Sequence, residues 1–209
     1  MKALKRKVGD FVRRFNDFPL RWKESIRPAE LQKAKNIALE LCNKLNAWGV
    51  NATLAFEEEQ YAVVENSGSP IRWVRVMYSV DFIPDNPGSC VTNLVIPDSR
   101  PLPRVEIVAR PTRGWRGILD EFGRPTYVRW EGNDNGIGLI KNKALESAIL
   151  KARGFTHIKL QTCPYHSSDC WEIIPENRNF PEENTIKKQK QWRSCENIAA
   201  CLLTIIIPK

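Results

Sequence analysis

The densest group of reactive side chains is Cys163-Pro164-Tyr165-His166-Ser167-Ser168-Asp169-Cys170, with Cys195 and Cys201 downstream. Zinc is held by tetrahedral sets of thiolate and imidazole ligands that tight turns bring together. Cys163, His166 and Cys170, with Cys195 as the fourth ligand, are the set this stretch offers for one structural zinc. The separation of seven between the first two cysteines is longer than a usual zinc knuckle. The competing expectation is that these cysteines are packing residues beside a surface loop, with Cys201 in a core strand. A nucleophilic pair of Cys163 with His166 lacks an assigned orienting group. His157, the other histidine, falls in the apolar stretch Phe155–Leu160 and is expected to be a partly buried, hydrogen-bonded side chain.

The second chemical signal is the placement of charge. Of the net +8, residues 1–28 carry nine Lys/Arg against three acids. A basic arm attracts polyanions, whether nucleic acid, anionic lipid or an acidic partner. Lys5, Arg6, Arg13 and Arg14 are its candidate phosphate contacts. From Leu45 to Ile140 there are nine arginines and no lysine. Arginine's planar fork grips phosphate and stacks on rings. Arg110, Arg113, Trp115 and Arg116 are the tightest basic-aromatic group, followed by Arg129 and Trp130. Such interleaving suits nucleic acid. It equally suits a sheet face with Arg–Glu pairs to Glu106, Asp120, Glu121 and Glu131.

Gly136-Ile137-Gly138-Leu139-Ile140-Lys141-Asn142-Lys143-Ala144 and the residues to Ala148 resemble the last turn and helix of double-stranded-RNA-binding domains. In this chain Asn142 splits the lysine pair and Ile140 replaces the usual polar residue. The resemblance implies phosphate contact by Lys141 and Lys143, and a helix start with free amides supports that on physical grounds. A metal-dependent nuclease or other hydrolase is the alternative, on Asp81, Asp85 and Glu106. The lysine-free stretch denies it a lysine beside its carboxylate in sequence. No phosphate-cradling Gly-Lys-Ser/Thr loop and no dinucleotide fingerprint occur.

The elements that must position these residues follow from periodicity. Leu4, Val8, Phe11, Val12, Phe15 and Phe18 predict a basic amphipathic helix closed by Pro19, which also offers a docking surface for a protein partner or membrane. Leu31, Ala34, Ile37, Ala38, Leu41, Leu45 and Trp48 predict a second helix starting near Pro28 and ended by Gly49. Strands are expected over Asn51–Phe56, Tyr61–Glu65, Val74–Phe82, Val91–Ile96 and Val105–Ala109. A hairpin is expected between Gly117–Leu119 and Thr126–Trp130. A third helix follows over about Lys141–Arg153, then a strand at Phe155–Thr162. Residues 175–194 read as loop with a short helix near Glu182–Gln191, and Cys201–Ile207 reads as a closing strand.

The fold class is therefore α+β, a mostly antiparallel sheet with helices packed on one face, preceded by an amphipathic N-terminal helix. The organisation expected is a basic arm over 1–27 and one domain over 28–209. No apolar run reaches the length of a membrane span. The N-terminus lacks the layout of a secretory signal, so the expected location is the cytoplasm, where thiols stay reduced. The leading functional expectation is a non-enzymatic nucleic-acid-associated protein.

Overall fold

A computed structural model of the chain describes residues 28–58, 61–79, 89–112, 127–132, 138, 142–152, 155–166, 168–176 and 186–207. The predicted amphipathic helix over residues 4–18, with Lys5, Arg6, Arg13 and Arg14, lies outside them. So do Arg113, Trp115, Arg116, Lys141, Asp81, Asp85 and the 117–119 half of the predicted hairpin.

Helix α1 covers residues 28–47. Its buried residues Ala34, Ala38, Leu41, Cys42 and Leu45 recur at three and four, which is the period of one helix face. It ends in a Schellman motif: the Val50 amide donates to Leu45 O (2.9 Å) and the Gly49 amide to Asn46 O (3.0 Å). Gly49 takes φ +81 there, a conformation that costs a Cβ-bearing residue.

Four strands follow: β1 Asn51–Glu58, β2 Tyr61–Ser67, β3 Trp73–Ser79 and β4 Ser89–Asp98. After them come β5 Glu106–Thr112, β6 Tyr127–Gly132 and helix α2 Lys143–Lys151. The hairpin β7 His157–Tyr165 with β8 Ser168–Glu176 and helix α3 Gln189–Leu203 complete the order. All eight strands form one sheet, β1-β2-β3-β4-β8-β7-β5-β6, and every pairing is antiparallel. The α+β class and the mostly antiparallel sheet are as the sequence indicates.

One row across the sheet shows how it is packed. Val64, Val74, Leu94, Ile173, Leu160 and Ile107 are successive register partners, and all are buried in the cluster that contains the helix residues Ala38, Leu41, Leu145, Ile149, Trp192, Ile198 and Leu202. Alternation sends their neighbours to the opposite face. All three described helices thus lie on one side, and we call the other side the helix-free face.

Two local readings are corrected. Cys201–Ile207 is not a strand: Trp192, Cys195, Ile198, Ala199 and Leu202 are buried at helical spacing, and α3 runs to Leu203. Ile205 to Ile207 is too short a β-branched run to compete with that period. The stretch 175–194 read as loop holds the end of strand β8 and the first residues of α3; β8 itself had no periodic signal, because Cys170 to Ile173 are all buried in a central strand and alternation is lost. Strand β6 matches the strand expected over Thr126–Trp130 and pairs with β5, Ala109 opposite Trp130; the 117–119 partner expected for it lies outside the described residues. The approach of β5 and β6 is close: a Cβ on Gly132, at φ +149, would stand 2.5 Å from Glu106 O.

An ion pair between buried Asp98 and half-buried Arg100 ties the end of α3 to the sheet. Asp98 accepts from Arg100 Nε (2.8 Å), Arg100 Nη2 (2.5 Å) and Trp171 Nε1 (3.1 Å). Arg100 Nη1 then donates to Ile205 O (2.5 Å), just past the helix. The Arg100 guanidinium holds the Asp98 carboxyl below the usual carboxylate range. A lowered folded-state pKa gives stability that is present above the unfolded value and lost as pH falls through the folded one. Asp98→Asn is therefore expected to flatten the acid limb of the stability profile. Asp98→Ala should lower unfolding free energy by about 3 kcal/mol in urea titrations at pH 7, since it strands a partly buried arginine.

Candidate functional site on the helix-free face

On the helix-free face, register aligns Glu65, Trp73, Val95, Glu172, Gln161 and Glu106 across six strands. Val63, Arg75 and Asn93 form part of the adjacent row. At the centre is a carboxylate with almost no access to water: Glu172 is 2% exposed. Glu172 Oε1 accepts from Asn93 Nδ2 at 2.8 Å and from Arg75 Nη1 at 3.4 Å, and Oε2 accepts from Gln161 Nε2. The donors come from β3, β4 and β7, so the carboxylate on β8 is satisfied only when all four strands are in register. Asn93, 6% exposed, leaves its Oδ1 buried with no partner.

Rings roof this cluster. Tyr165, near the end of β7, lies with its centroid 5.2 Å from that of Trp73, edge-on, and His166 is 5.2 Å from Trp73 and 4.3 Å from Tyr165. His166 adopts φ +48 at the hairpin tip, a left-handed turn conformation that folds the tip back over the sheet. The Arg75 guanidinium carbon sits 4.0 Å from the Tyr61 ring centroid and 5.0 Å from that of Tyr165. These contacts explain how Glu172 and Val95 are buried on a face that no described helix covers.

The four cysteine-segment ligands are not brought together. Cys163 and Cys170 are cross-strand partners on the helix-free face, and His166 is exposed at the turn between their strands. Cys195 is fully buried in the helix-side core with Trp171 and Ile198, so the sheet separates it from the other three. Among the described residues no group of three or more His, Cys, Asp or Glu side chains is placed to hold a metal ion. Burial pushes the Cys163 thiol up to about 12, with Glu172 and Cys170 adding to it, and the Cys170 thiol up to about 11. Both shifts disfavour the thiolate form, and the segment is a β-hairpin. His157 is buried as expected, with Nε2 2.5 Å from Glu176 Oε2 and Nδ1 3.1 Å from Thr156 Oγ1.

The Arg/Trp group divides between the faces. Arg110 Nε pairs with Glu131 Oε2 at 2.9 Å and Arg129 Nε with Glu131 Oε1 at 3.3 Å, and Arg110 in turn lowers the Glu131 pKa. Trp130 points to the other side and donates to Glu146 Oε1 at 3.0 Å. Lys143 is the exposed first residue of α2, but the Asn142 side chain already accepts from the Ala144 and Leu145 amides. Glu106 does have a lysine beside it, Lys159 from β7 at 2.7 Å, which the sequence order conceals. Exposed Lys188 and Lys190 flank the start of α3 with Lys187 nearby; the run Ile186-Lys187-Lys188-Gln189-Lys190 carried the signal.

No known protein family, curated protein or solved structure matches the chain.

Raised thiol pKa values set the first test of this geometry. Because only thiolate reacts, Cys163 and Cys170 should alkylate with iodoacetamide at pH 8 at least about a hundredfold more slowly in the native protein than in urea, Cys163 the slower of the two. Peptide mass spectrometry reads the rates. Fast native labelling of either residue would contradict the arrangement.

Proposed function

We propose that the protein binds single-stranded nucleic acid across the helix-free face of its sheet, without catalysing a reaction. The observation that carries this reading is the ring cluster of Trp73, Tyr165 and His166 with Arg75 stacked beside it. Aromatic faces on a sheet accept splayed, unpaired bases, whereas a paired base has no face to offer them. The charges on this face are largely paired with one another, so attraction for phosphate must come from elsewhere. Two sources are at hand: the basic sequence of residues 1–27, and Lys187, Lys188 and Lys190 at the start of α3. The first turn of α3 contains no acid, so cations there oppose the helix dipole and a bound anion relieves them. Glu106 and Glu172 each accept from protein donors, which favours binding over metal-dependent hydrolysis.

Fluorescence anisotropy with labelled oligouridine and a duplex of equal length, over a salt series, tests the reading. The single strand should bind more tightly, with log K falling linearly in log salt. Trp73→Ala should weaken binding by about 1–3 kcal/mol, the usual worth of one stacked base, and leave the salt slope unchanged. Replacing Lys5, Arg6, Arg13 and Arg14 with glutamine should flatten that slope. Preferred binding of duplex, or indifference to Trp73→Ala, would refute the proposal.

A further inference from the structure

All six cysteines of the chain are free thiols, and two of them are direct cross-strand partners. Cys163 on β7 stands opposite Cys170 on β8. The pair lies two positions along the strands from Gln161 and Glu172, so both side chains project to the helix-free face. Directly opposite residues of an antiparallel pair have Cα atoms about 4.5–5.5 Å apart. A disulfide spans Cα separations of about 4.4–6.8 Å, so strand pairing already holds the two cysteines within bonding range. The pairing of β5 with β7 ends at Glu106 and Gln161, which leaves Cys163 beyond it and able to close on Cys170. The Cys170 thiol gives up little in doing so, because its contacts with Tyr165 O and Ser168 O are both 3.8 Å and a thiol is a weak donor. The other four cysteines have no such partner: Cys42, Cys195 and Cys201 lie on helices, and Cys90 faces Tyr78.

We propose that Cys163 and Cys170 form a dithiol site that a small-molecule disulfide of the glutathione type closes to a disulfide bond. Cys163 is half-buried and Cys170 fully buried, so the oxidant meets Cys163 first. The Cys163 thiol gives up its proton and attacks one sulfur of the oxidant. That S–S bond breaks, and the departing thiolate takes the proton. Cys170 then attacks the Cys163 sulfur of the mixed disulfide, forms the internal bond and expels the second small thiolate, which takes the Cys170 proton. The protein has lost two electrons and two protons, and the oxidant has become two thiols. Burial slows these attacks, because it disfavours the thiolate. It does not weigh against the product, since an uncharged disulfide gives up little by leaving water. The second attack comes from a neighbour fixed in place by strand pairing, so the mixed disulfide does not accumulate. The closed bond ties β7 to β8 just before Tyr165 and His166, two of the rings on the helix-free face.

Full-length reduced protein, held at pH 8 in mixtures of reduced and oxidised glutathione until its composition is constant, tests this. Acid quenching, alkylation and peptide mass spectrometry read the state of each cysteine. The expected product is an internal Cys163–Cys170 link, lighter than the dithiol by about 2 Da for the two hydrogens lost. Cys42, Cys90, Cys195 and Cys201 should remain thiols, and dithiothreitol should reverse the link. Cys170→Ser should instead carry the glutathione adduct on Cys163, at least about tenfold above wild type, because no second thiol displaces it. Cys163→Ser should leave Cys170 reduced. Equal adduct on Cys163 in wild type and Cys170→Ser, or a link that forms only in urea, would overturn the proposal. Six thiols at constant composition in the most oxidising mixture would overturn it as well. Should either variant lose its native circular dichroism, the wild-type link map decides.

Discussion

A carboxylate shut away from water in the middle of a sheet constrains everything around it. Burying a polar side chain there is costly unless it is hydrogen-bonded, so Glu172 depends on donors from three other strands. Arg75, Asn93 and Gln161 reach it only because β3, β4, β8 and β7 lie side by side in one register. A slip of one residue in any pair would turn a donor to the opposite face. The polar cluster thus specifies the alignment of the four central strands, and the aromatic roof that excludes water from it is the candidate binding surface. Structure and site share the same side chains.

The helix side follows a different logic. There the row through Leu94, Ile173 and Leu160 is wholly apolar and is covered by the three helices. Specific polar contacts attach the helices there: Asp98 and Arg100 at the end of α3, Trp130 with Glu146 on α2, and Lys33 Nζ with Tyr78 Oη at 2.5 Å on α1. Apolar burial supplies most of the driving force on this side, while the attachments fix where each helix sits. The helix-free face is ordered mainly by hydrogen bonds and ring contacts, a composition suited to recognition.

Local periodicity made α1 and most strands legible in the sequence. The stripe from Ala34 to Leu45 and the glycine that ends it need no tertiary information. Strand β8 and helix α3 were hidden for opposite reasons. Burial on both faces erased the alternation of β8, and the isoleucine run after Leu203 imitated a strand where a helix was ending. The site was hidden for a further reason: Arg75, Asn93, Gln161 and Glu172 have no spacing in sequence, only a register in the sheet. Proximity in sequence misled in the other direction. Cys163, His166, Cys170 and Cys195 read as one ligand set, yet Cys195 belongs to a helix on the far side of the sheet. Alternation also parted Arg129 from Trp130, which neighbour each other in the chain and occupy opposite faces.

The central claim is that unpaired bases lie on the rings of the helix-free face. Ultraviolet crosslinking of the intact protein to single-stranded RNA, with the modified residues located by mass spectrometry, tests it most directly. The account predicts adducts on the peptides carrying Trp73, Tyr165 and His166. Adducts confined to the helix side, on α1 or α2, with Trp73 and Tyr165 unmodified, would contradict it.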